Sequence, residues 1–281
     1  MTELPETYTF VDQINATLPG KRVRRAEAAH TPHGFAWYTG DPASYDGILS
    51  GKTVTQADVL GGALRVHLDD RTLLLSAPPR YHAPGAKLPE KHQLLLEFDD
   101  GSAMTCSVLM WGSMFLYHKG TEETSLPDDY TLSFKPNPYD DAFTLEYFLD
   151  MAHACPGKLS VKALLATEQR ISGFGNGCLH DVLWTARLNP RRRISETTEE
   201  QLIALYHALM AVMGEMRAKG GRDTERDLFG KNGGYRTICS SKHSDDPCPS
   251  CGGFIQREAY LGGNVYYCPV CQPYEKKKGR G

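Results

Sequence analysis

Apolar residues near the start of the chain recur with the spacing of a helix. Phe10, Ile14 and Leu18 lie four residues apart, and the pattern ends at Pro19, which glycine follows. A period of about 3.6 residues is typical of a helix that buries one face. The sequence therefore predicts a leading helix over residues 4–18.

The period shortens between about residues 21 and 133. Runs such as VTQADVL, ALRVHLDD and TLLLSAPP are short and apolar or alternating, and turn-forming Asp, Gly and Pro separate them. The string LLLEFDDGSAMTCSV has the form of a β-hairpin, with its turn at DDG. These signals predict a β-sandwich or barrel behind the leading helix.

Helical periodicity returns after the linker LPDDYTLSFKPNPYDD. It predicts helices at about 142–153, 159–168, 178–187 and 198–219. A glycine-rich loop then leads to a compact cysteine module at 247–271. The expected fold class is α+β, with an N-terminal helix and β-sandwich domain in 1–133, a helical domain in 134–235, and a metal-binding β-hairpin with a basic tail in 236–281.

The charge of the chain is divided unevenly. Residues 1–150 hold 12 Lys and Arg against 21 Asp and Glu, a net charge of −9, whereas residues 151–281 hold 19 against 13, a net charge of +6. A basic second half suggests an anionic partner, and nucleic acid is the leading candidate. Docking between oppositely charged domains is the alternative.

The longest helical stretch is amphipathic, and the first thirty residues contain no secretory signal. We therefore expect a cytoplasmic protein that has no membrane partner.

Four cysteines near the end of the chain form two CxxC pairs, Cys248 with Cys251 and Cys268 with Cys271. The segment between the pairs has the length of a hairpin that brings them together around one tetrahedral ion. Four thiolates leave no open coordination position, so we expect one structural Zn²⁺ rather than a catalytic metal. Redox-active or free thiols are the alternatives. The other four cysteines are expected to be buried, small apolar residues.

The stretch RISGFGNG predicts a glycine-rich turn before a helix that Asn176 and Gly177 open. Free backbone N–H groups at a helix start attract anions, and Asn176 adds a side-chain donor. Lys162 precedes them by fourteen residues and is a candidate for the same phosphate. An αα-hairpin without a ligand is the alternative.

Three motifs in order resemble one known family: ELPE at the amino end, GFGN at the turn between two helices, and YYCPVCQ at the end of the cysteine module. The strings GKRV, KHQLLLEFDDGSAM and GGY also have counterparts there. The chain resembles the formamidopyrimidine-DNA glycosylase/endonuclease VIII family over its whole length. The resemblance implies a DNA repair protein, a bifunctional glycosylase and abasic-site lyase. Its implied partner is double-stranded DNA that contains an oxidised base or an abasic site, bound by a monomer.

The resemblance also implies site residues. The α-amine of Thr2, exposed when Met1 is removed, would attack the sugar, with Glu3 as the proton-transfer group and Glu6 as a second acid. Trp111 falls near the aromatic wedge that fills the space of a flipped base, with a core tryptophan as the alternative. The implied DNA-binding residues are Lys162, Asn176, Tyr235, Trp111 and Met110. The implied zinc ligands are Cys248, Cys251, Cys268 and Cys271.

This chain departs from the family pattern at four positions. Thr2 replaces the usual proline, Gly61-Gly62 stand where a lysine is expected, Gly263 or Asn264 replaces an arginine, and Met110 replaces another. A terminal α-amine has a pKa of about 7.7–8.0, so Thr2 keeps a usable nucleophile. Lost cations weaken phosphate contacts. A protein that binds damaged DNA without processing it is therefore the alternative, and a member specific for RNA or single strands is a third hypothesis.

Overall fold

The computed structural model describes residues 2–122 and 134–274. The chain packs as two compact units, one formed by Met1–Phe134 with Glu225–Gly233 and the other by Lys135–Thr224 with Gly234–Gly281. Met1, part of the predicted linker and the basic tail lie outside the described residues. The sequence-based domain boundaries at 133/134 and 235/236 stay predictions.

The first unit contains the predicted leading helix, α1 (Leu4–Thr17), and two β-sheets, which confirms the expected architecture. A short helix, α2 (Tyr45–Leu49), also lies in this unit. The strands are β1 (Val23–Ala28), β2 (Ala36–Tyr38), β3 (Val54–Leu60), β4 (Ala63–Leu68), β5 (Arg71–Leu75), β6 (Pro79–His82), β7 (Leu94–Phe98), β8 (Ala103–Cys106) and β9 (Gly112–His118).

One sheet has the strand order β1-β7-β8-β6 and the other has the order β2-β9-β5-β4-β3. The predicted hairpin is confirmed, because β7 pairs with β8 in antiparallel register from Leu94 opposite Cys106 to Glu97 opposite Ala103. Apolar side chains from both sheets and from α1 share one core, in which Ile14 and Phe98 are fully buried. The fold of this unit is therefore set by helix and strand faces that exclude water together.

The segment Glu225–Gly233 belongs to this unit although it follows the helices in sequence. Leu228 is fully buried in the core, and its amide donates to Gln13 Oε1 at 2.9 Å. Gln13 Nε2 donates to Asp227 Oδ2 at 2.9 Å, and Arg80 Nη1 donates to the Asp227 carbonyl at 2.6 Å. The sequence predicted only a glycine-rich loop here.

The second unit holds the four predicted helices, at α3 (Leu145–His153), α4 (Val161–Ala166), α5 (Asn176–Thr185) and α6 (Glu199–Ala218). Side chains cap three of them: Thr144, Ser160 and Thr198 each accept a hydrogen bond from the first turn. Helix α4 is shorter than predicted, because Thr167 is already extended, with φ −119° and ψ 155°, and Glu168 and Gln169 follow with positive φ values of 57° and 45°.

The carboxyl end of the second unit forms a β-hairpin of β10 (Gln256–Tyr260) and β11 (Gly263–Tyr267). The hairpin lies between the two CxxC pairs, as the sequence predicts. Within the described parts of the chain, no helix has the length and apolar character needed to cross a membrane.

Candidate functional site

Two buried carboxylates lie at the amino end of α1. Glu3 is the N-cap residue and is 9% exposed, and Glu6 in the first turn is 5% exposed. Pro5 occupies the first turn, where its fixed φ favours the helix and its missing N–H has no partner to lose. The structure therefore brings the predicted catalytic acids together inside the first unit, a burial that the sequence alone did not reveal.

The backbone nitrogen of Thr2 is held beside these acids. It donates to the Ser76 carbonyl at 3.1 Å. Ser76 is in turn fixed to Ser113, whose amide donates to Ser76 Oγ at 2.8 Å while the two hydroxyl oxygens lie 3.0 Å apart. Sequence reasoning missed Ser76, because a serine at the end of an apolar strand carries no signal of its own.

The glycine turn between β3 and β4 packs against the same helix start. Thr7 Oγ1 lies 3.1 Å from the Glu3 carbonyl and 3.2 Å from the Gly62 carbonyl. Gly61 and Gly62 have φ values of 56° and 80°, which suit the tight hairpin turn that joins the strands. The position where a family lysine is expected is thus a backbone contact to α1 in this chain.

The predicted wedge lies in a row of aromatic rings. Trp111 is partly buried, and its ring centroid is 5.9 Å from that of Trp37, which is 6.4 Å from that of Phe35. Met110 is 74% exposed and the preceding Leu109 is 87% exposed. Trp111 therefore lies outside the buried core, and its wedge role stays a prediction.

In the second unit, Lys162 and Asn176 meet at the tip of the β10–β11 hairpin. Lys162 Nζ donates to the Tyr260 carbonyl at 2.5 Å, and Asn176 Nδ2 donates to the Asn264 carbonyl at 2.8 Å. Burial lowers the pKa of the Lys162 ammonium from its usual value. A Cβ at Gly263 would lie 3.7 Å from Asn176 Nδ2 and 4.0 Å from Lys162 Nζ. The structure thus brings the two predicted phosphate donors together, and both of them donate to backbone carbonyls.

Tyr235 is buried, with 5% exposure. Burial, and then the neighbouring Asp181 carboxylate, raise the pKa of the Tyr235 hydroxyl well above its usual range. Asp181 also accepts the Ile238 and Cys239 amides at 2.9 and 2.7 Å. These contacts fix Tyr235 in the interior of the second unit. Its contact with a DNA phosphate stays a prediction.

The four cysteines of the CxxC pairs come together as predicted. Their Sγ atoms lie within 4.8 Å of one another, with Cys248 and Cys271 at 3.8 Å and Cys251 and Cys268 at 3.5 Å. Thiolates about 2.3 Å from a tetrahedral ion are separated by about 3.8 Å. The group therefore fits a metal ion. The remaining four cysteines are buried, which confirms the expectation for them.

Neighbouring groups orient the cysteine cluster. Trp184 Nε1 donates to Cys248 Sγ at 3.3 Å, and the amides of Gly253 and Cys271 point at Cys251 Sγ and Cys268 Sγ, both at 3.4 Å. Burial raises the pKa of the Cys248 thiol, but the hydrogen bonds, led by that from Trp184, lower it overall to about 6. These donors favour the thiolate form that binds metals.

Gln272, directly after the second CxxC pair, fastens the cluster to the helices. Its Oε1 accepts the Cys268 amide at 2.9 Å, its Nε2 donates to the Leu188 carbonyl at 2.8 Å, and its carbonyl accepts Asn189 Nδ2 at 3.0 Å. Sequence reasoning assigned no role to Trp184 or Gln272. The signal for Gln272 was its place in the string CPVCQ.

Comparisons with known proteins agree with this arrangement. No family model matches the chain. The formamidopyrimidine-DNA glycosylase of Lactobacillus delbrueckii subsp. bulgaricus is 28% identical over 286 residues, which cover 97% of this chain and 99% of that protein. The enzyme of the same name from Paracoccus denitrificans is 27% identical over 292 residues, covering 97% and 100%. Over nearly its whole length the chain is therefore similar to the formamidopyrimidine-DNA glycosylase/endonuclease VIII family, as a divergent relative.

Solved structures of the formamidopyrimidine-DNA glycosylase family share the fold. The Lactococcus lactis protein in complex with DNA that contains an abasic site superposes with a TM-score of 0.81 at 21% identity, covering 97% of this chain and all of that chain. The Thermus thermophilus protein has a TM-score of 0.79 at 23% identity, covering 98% and 100%. The expected fold class and the resemblance to this family are confirmed, and the roles of individual residues stay predictions.

Proposed function

We propose that this chain is a DNA glycosylase with abasic-site lyase activity that removes oxidised bases from double-stranded DNA. The observation that carries the proposal is the acid pair at the amino end of α1. Glu3 and Glu6 are 9% and 5% exposed, and the Thr2 nitrogen is fixed beside them by the Ser76 carbonyl at 3.1 Å. A buried acid next to a terminal amine is the arrangement that imine chemistry requires.

In the proposed reaction the α-amine of Thr2 attacks C1′ of the damaged nucleotide. The bond between C1′ and the base breaks, and the base leaves with a proton. Glu3 donates a proton to the ring oxygen as the sugar opens, and loss of the remaining proton from nitrogen leaves an imine. Loss of the proton on C2′ then breaks the bond to the 3′ phosphate. Threonine supplies a primary amine, whose pKa of about 7.7–8.0 leaves part of it neutral at neutral pH.

The proposed substrate class rests on the relatives. Proteins of similar length named formamidopyrimidine-DNA glycosylase match nearly all of this chain, and similar folds were solved with abasic-site DNA and with Fapy-dG DNA. A flipped nucleotide is the form in which such enzymes reach their target. We also propose that the protein acts as a monomer in the cytoplasm, with the DNA.

We further propose that the cysteine cluster holds one structural Zn²⁺. The thiol separations of 3.5 and 3.8 Å match a tetrahedral sulfur site, and Trp184 supplies an N–H···S bond. Zinc would hold the β10–β11 hairpin in place and take no part in bond breaking.

Borohydride trapping tests the enzymatic proposal. The purified protein is mixed with a duplex that carries one abasic site, the imine is reduced, and a denaturing gel detects the covalent complex. We expect a band for the unaltered chain and for Thr2→Pro, which also offers a terminal amine. We expect none for Glu3→Gln, with duplex binding kept. Glu90→Gln, an exposed glutamate of the same unit, is the matched control and should leave the band unchanged.

Mass spectrometry of the amino terminus accompanies this experiment. Removal of Met1 is necessary, because a retained Met1 would place the α-amine two residues before Glu3 instead of one. A chain that keeps Met1, or a band that persists when the terminal amine is acetylated, contradicts the proposed nucleophile.

A second candidate is a protein that binds damaged DNA without cutting it. The glycine turn favours it, because Gly61 and Gly62 stand where a family lysine is expected and the Gly62 carbonyl contacts Thr7 Oγ1 instead. Tight binding of the abasic duplex, with no trapped complex from a chain that lacks Met1, would select this candidate over the enzyme.

A further inference from the structure

A second group of metal-ligating side chains lies in the first unit. Glu27 stands on β1, His30 follows that strand, and His92 precedes β7. One ligand atom from each of the three residues lies within 4.8 Å of the other two. The proposed DNA chemistry uses none of them.

The backbone around this group is cross-linked by hydrogen bonds. The Ala29 amide donates to the Gln93 carbonyl at 2.8 Å, and the Thr31 amide donates to the His92 carbonyl at 3.0 Å. The His92 amide lies 3.3 Å from Thr31 Oγ1. The segments that carry His30 and His92 are therefore fixed side by side without any ligand.

His92 presents a nitrogen that has no hydrogen-bond partner. Its Nδ1 lies 3.2 Å from the Pro89 carbonyl, which can only accept, so the proton belongs on Nδ1 and the lone pair on Nε2. His92 is 5% exposed, and its Nε2 is buried without a hydrogen bond. Glu27 Oε2 lies 3.9 Å from it, too far for a hydrogen bond. A backbone carbonyl that fixes the tautomer is the usual support of a metal-binding histidine.

His30 completes the group from the solvent side. Its Nδ1 lies 2.9 Å from Glu27 Oε1, and its ring stacks on that of His92 with centroids 4.4 Å apart. An imidazole binds a metal ion in the plane of its ring. Because the two rings are stacked nearly parallel, the His30 ring must tilt before both can bind the same ion. The His30 side chain is 43% exposed and therefore has room to turn.

We propose that Glu27, His30 and His92 bind a divalent transition metal of the Zn²⁺ class, with water in the fourth position. Two imidazoles and one carboxylate are a donor set that zinc accepts. Ligand atoms about 2.0–2.2 Å from a tetrahedral ion are about 3.4 Å apart. The 3.9 Å between His92 Nε2 and Glu27 Oε2 closes to this value with a small movement of the carboxylate. The ion ties the end of β1 to the segment that leads into β7.

Arg25 competes with the metal for the same carboxylate. Its Nη2 lies 2.8 Å from Glu27 Oε2, and its side chain is 51% exposed. Metal binding therefore displaces the exposed Arg25 guanidinium from Glu27. Arg25→Gln should strengthen metal binding, because it removes the group that competes for Glu27 and the positive charge that repels the ion.

Equilibrium dialysis of the full, zinc-loaded chain against buffered free Zn²⁺, followed by elemental analysis, tests the site. We expect about two zinc ions per chain, one of them in the cysteine cluster, and a loss of about one from His30→Gln and from His92→Gln. The nearby His33→Gln is the matched control and should keep both. For Arg25→Gln we expect a severalfold lower free zinc concentration at half-occupancy. The test compares the zinc content of each variant with that of the unaltered chain, so its result does not depend on whether the cysteine site is full.

A cobalt titration gives a second readout, on a chain dialysed against a mild chelator until one zinc ion remains, in the cysteine cluster. Co²⁺ in this site should show visible d–d absorption without the thiolate charge-transfer bands of a cysteine site, and His30→Gln should abolish it. His30→Gln also settles the matter if His92→Gln fails to fold, because His30 is exposed. Equal zinc occupancy in the unaltered chain and His30→Gln overturns the proposal. So does a loss in His33→Gln, or weaker binding in Arg25→Gln.

Discussion

The cysteine cluster and the acid pair of α1 are built in opposite ways. The cluster draws its four ligands from one short hairpin, Cys248 to Cys271, and Trp184 and Gln272 support those ligands from the helices of the same unit. The acid pair depends on residues far apart in the chain, since Ser76 holds the Thr2 nitrogen and Gly62 meets Thr7. The first site should therefore fail with its metal, and the second should fail with the β-sandwich that supports it.

The largest effect is expected from Cys268→Ser. Loss of one thiolate removes a ligand of a site whose metal is worth about 10–16 kcal/mol in small zinc domains, so the hairpin should unfold and duplex binding should fall. Zinc content and protease susceptibility of the hairpin measure this, with Cys155→Ser as the control at a buried cysteine outside the cluster. Zinc that remains stoichiometric would contradict the ligand assignment.

Ile14→Ala should have the next largest effect and should act on the other site. Ile14 is fully buried between α1 and the sheets, and such truncations cost about 2–5 kcal/mol. We expect the free energy of unfolding of the first unit, measured with denaturant, to fall by this amount while the zinc content stays constant. Loss of zinc together with loss of stability would show that the two sites are not independent.

Trp184→Phe should weaken the cysteine site without destroying it. The change keeps an aromatic ring but removes the N–H that lies 3.3 Å from Cys248 Sγ. Changes in groups that support metal ligands commonly cost 10–100-fold in affinity, or about 1.4–2.7 kcal/mol. Competition with a chromophoric chelator measures the zinc affinity. An unchanged affinity would mean that this hydrogen bond does not tune the thiolate.

Thr7→Val should have the smallest effect and tests how the acid pair is supported. The hydroxyl contacts the Glu3 and Gly62 carbonyls, and loss of a hydrogen bond costs about 0.5–1.5 kcal/mol. Thr9→Val is the matched control, since Thr9 Oγ1 donates within its own helix, to the Pro5 carbonyl at 2.8 Å. We expect Thr7→Val to reduce the rate of imine trapping more than Thr9→Val. If the two variants form the trapped imine at equal rates, the contact between Thr7 and Gly62 has a purely structural role.

Local signals explain what the sequence predicted correctly. Helix α5 begins at Asn176 because a glycine turn precedes it, and β7 and β8 pair through the DDG turn. The cysteine cluster was predictable because its ligands and their spacing lie within one hairpin.

Long-range packing explains what was not predicted. The burial of Glu3 depends on strands that come more than fifty residues later, and the capture of Lys162 and Asn176 depends on the exact path of the turn at 260–264. Leu228 was passed over because one apolar residue in a glycine-rich stretch does not show which core it will enter.

The return of Glu225–Gly233 to the first unit has a consequence for synthesis. A ribosome that has released Met1–Phe134 has released both sheets, but Leu228 is still missing from their core. The core of the first unit is therefore complete only when the whole helical stretch has emerged, because Leu228 lies beyond that stretch in the sequence. A shortened chain that ends near residue 134 lacks Leu228 for the same reason, and its first unit should be less stable than that of the full chain.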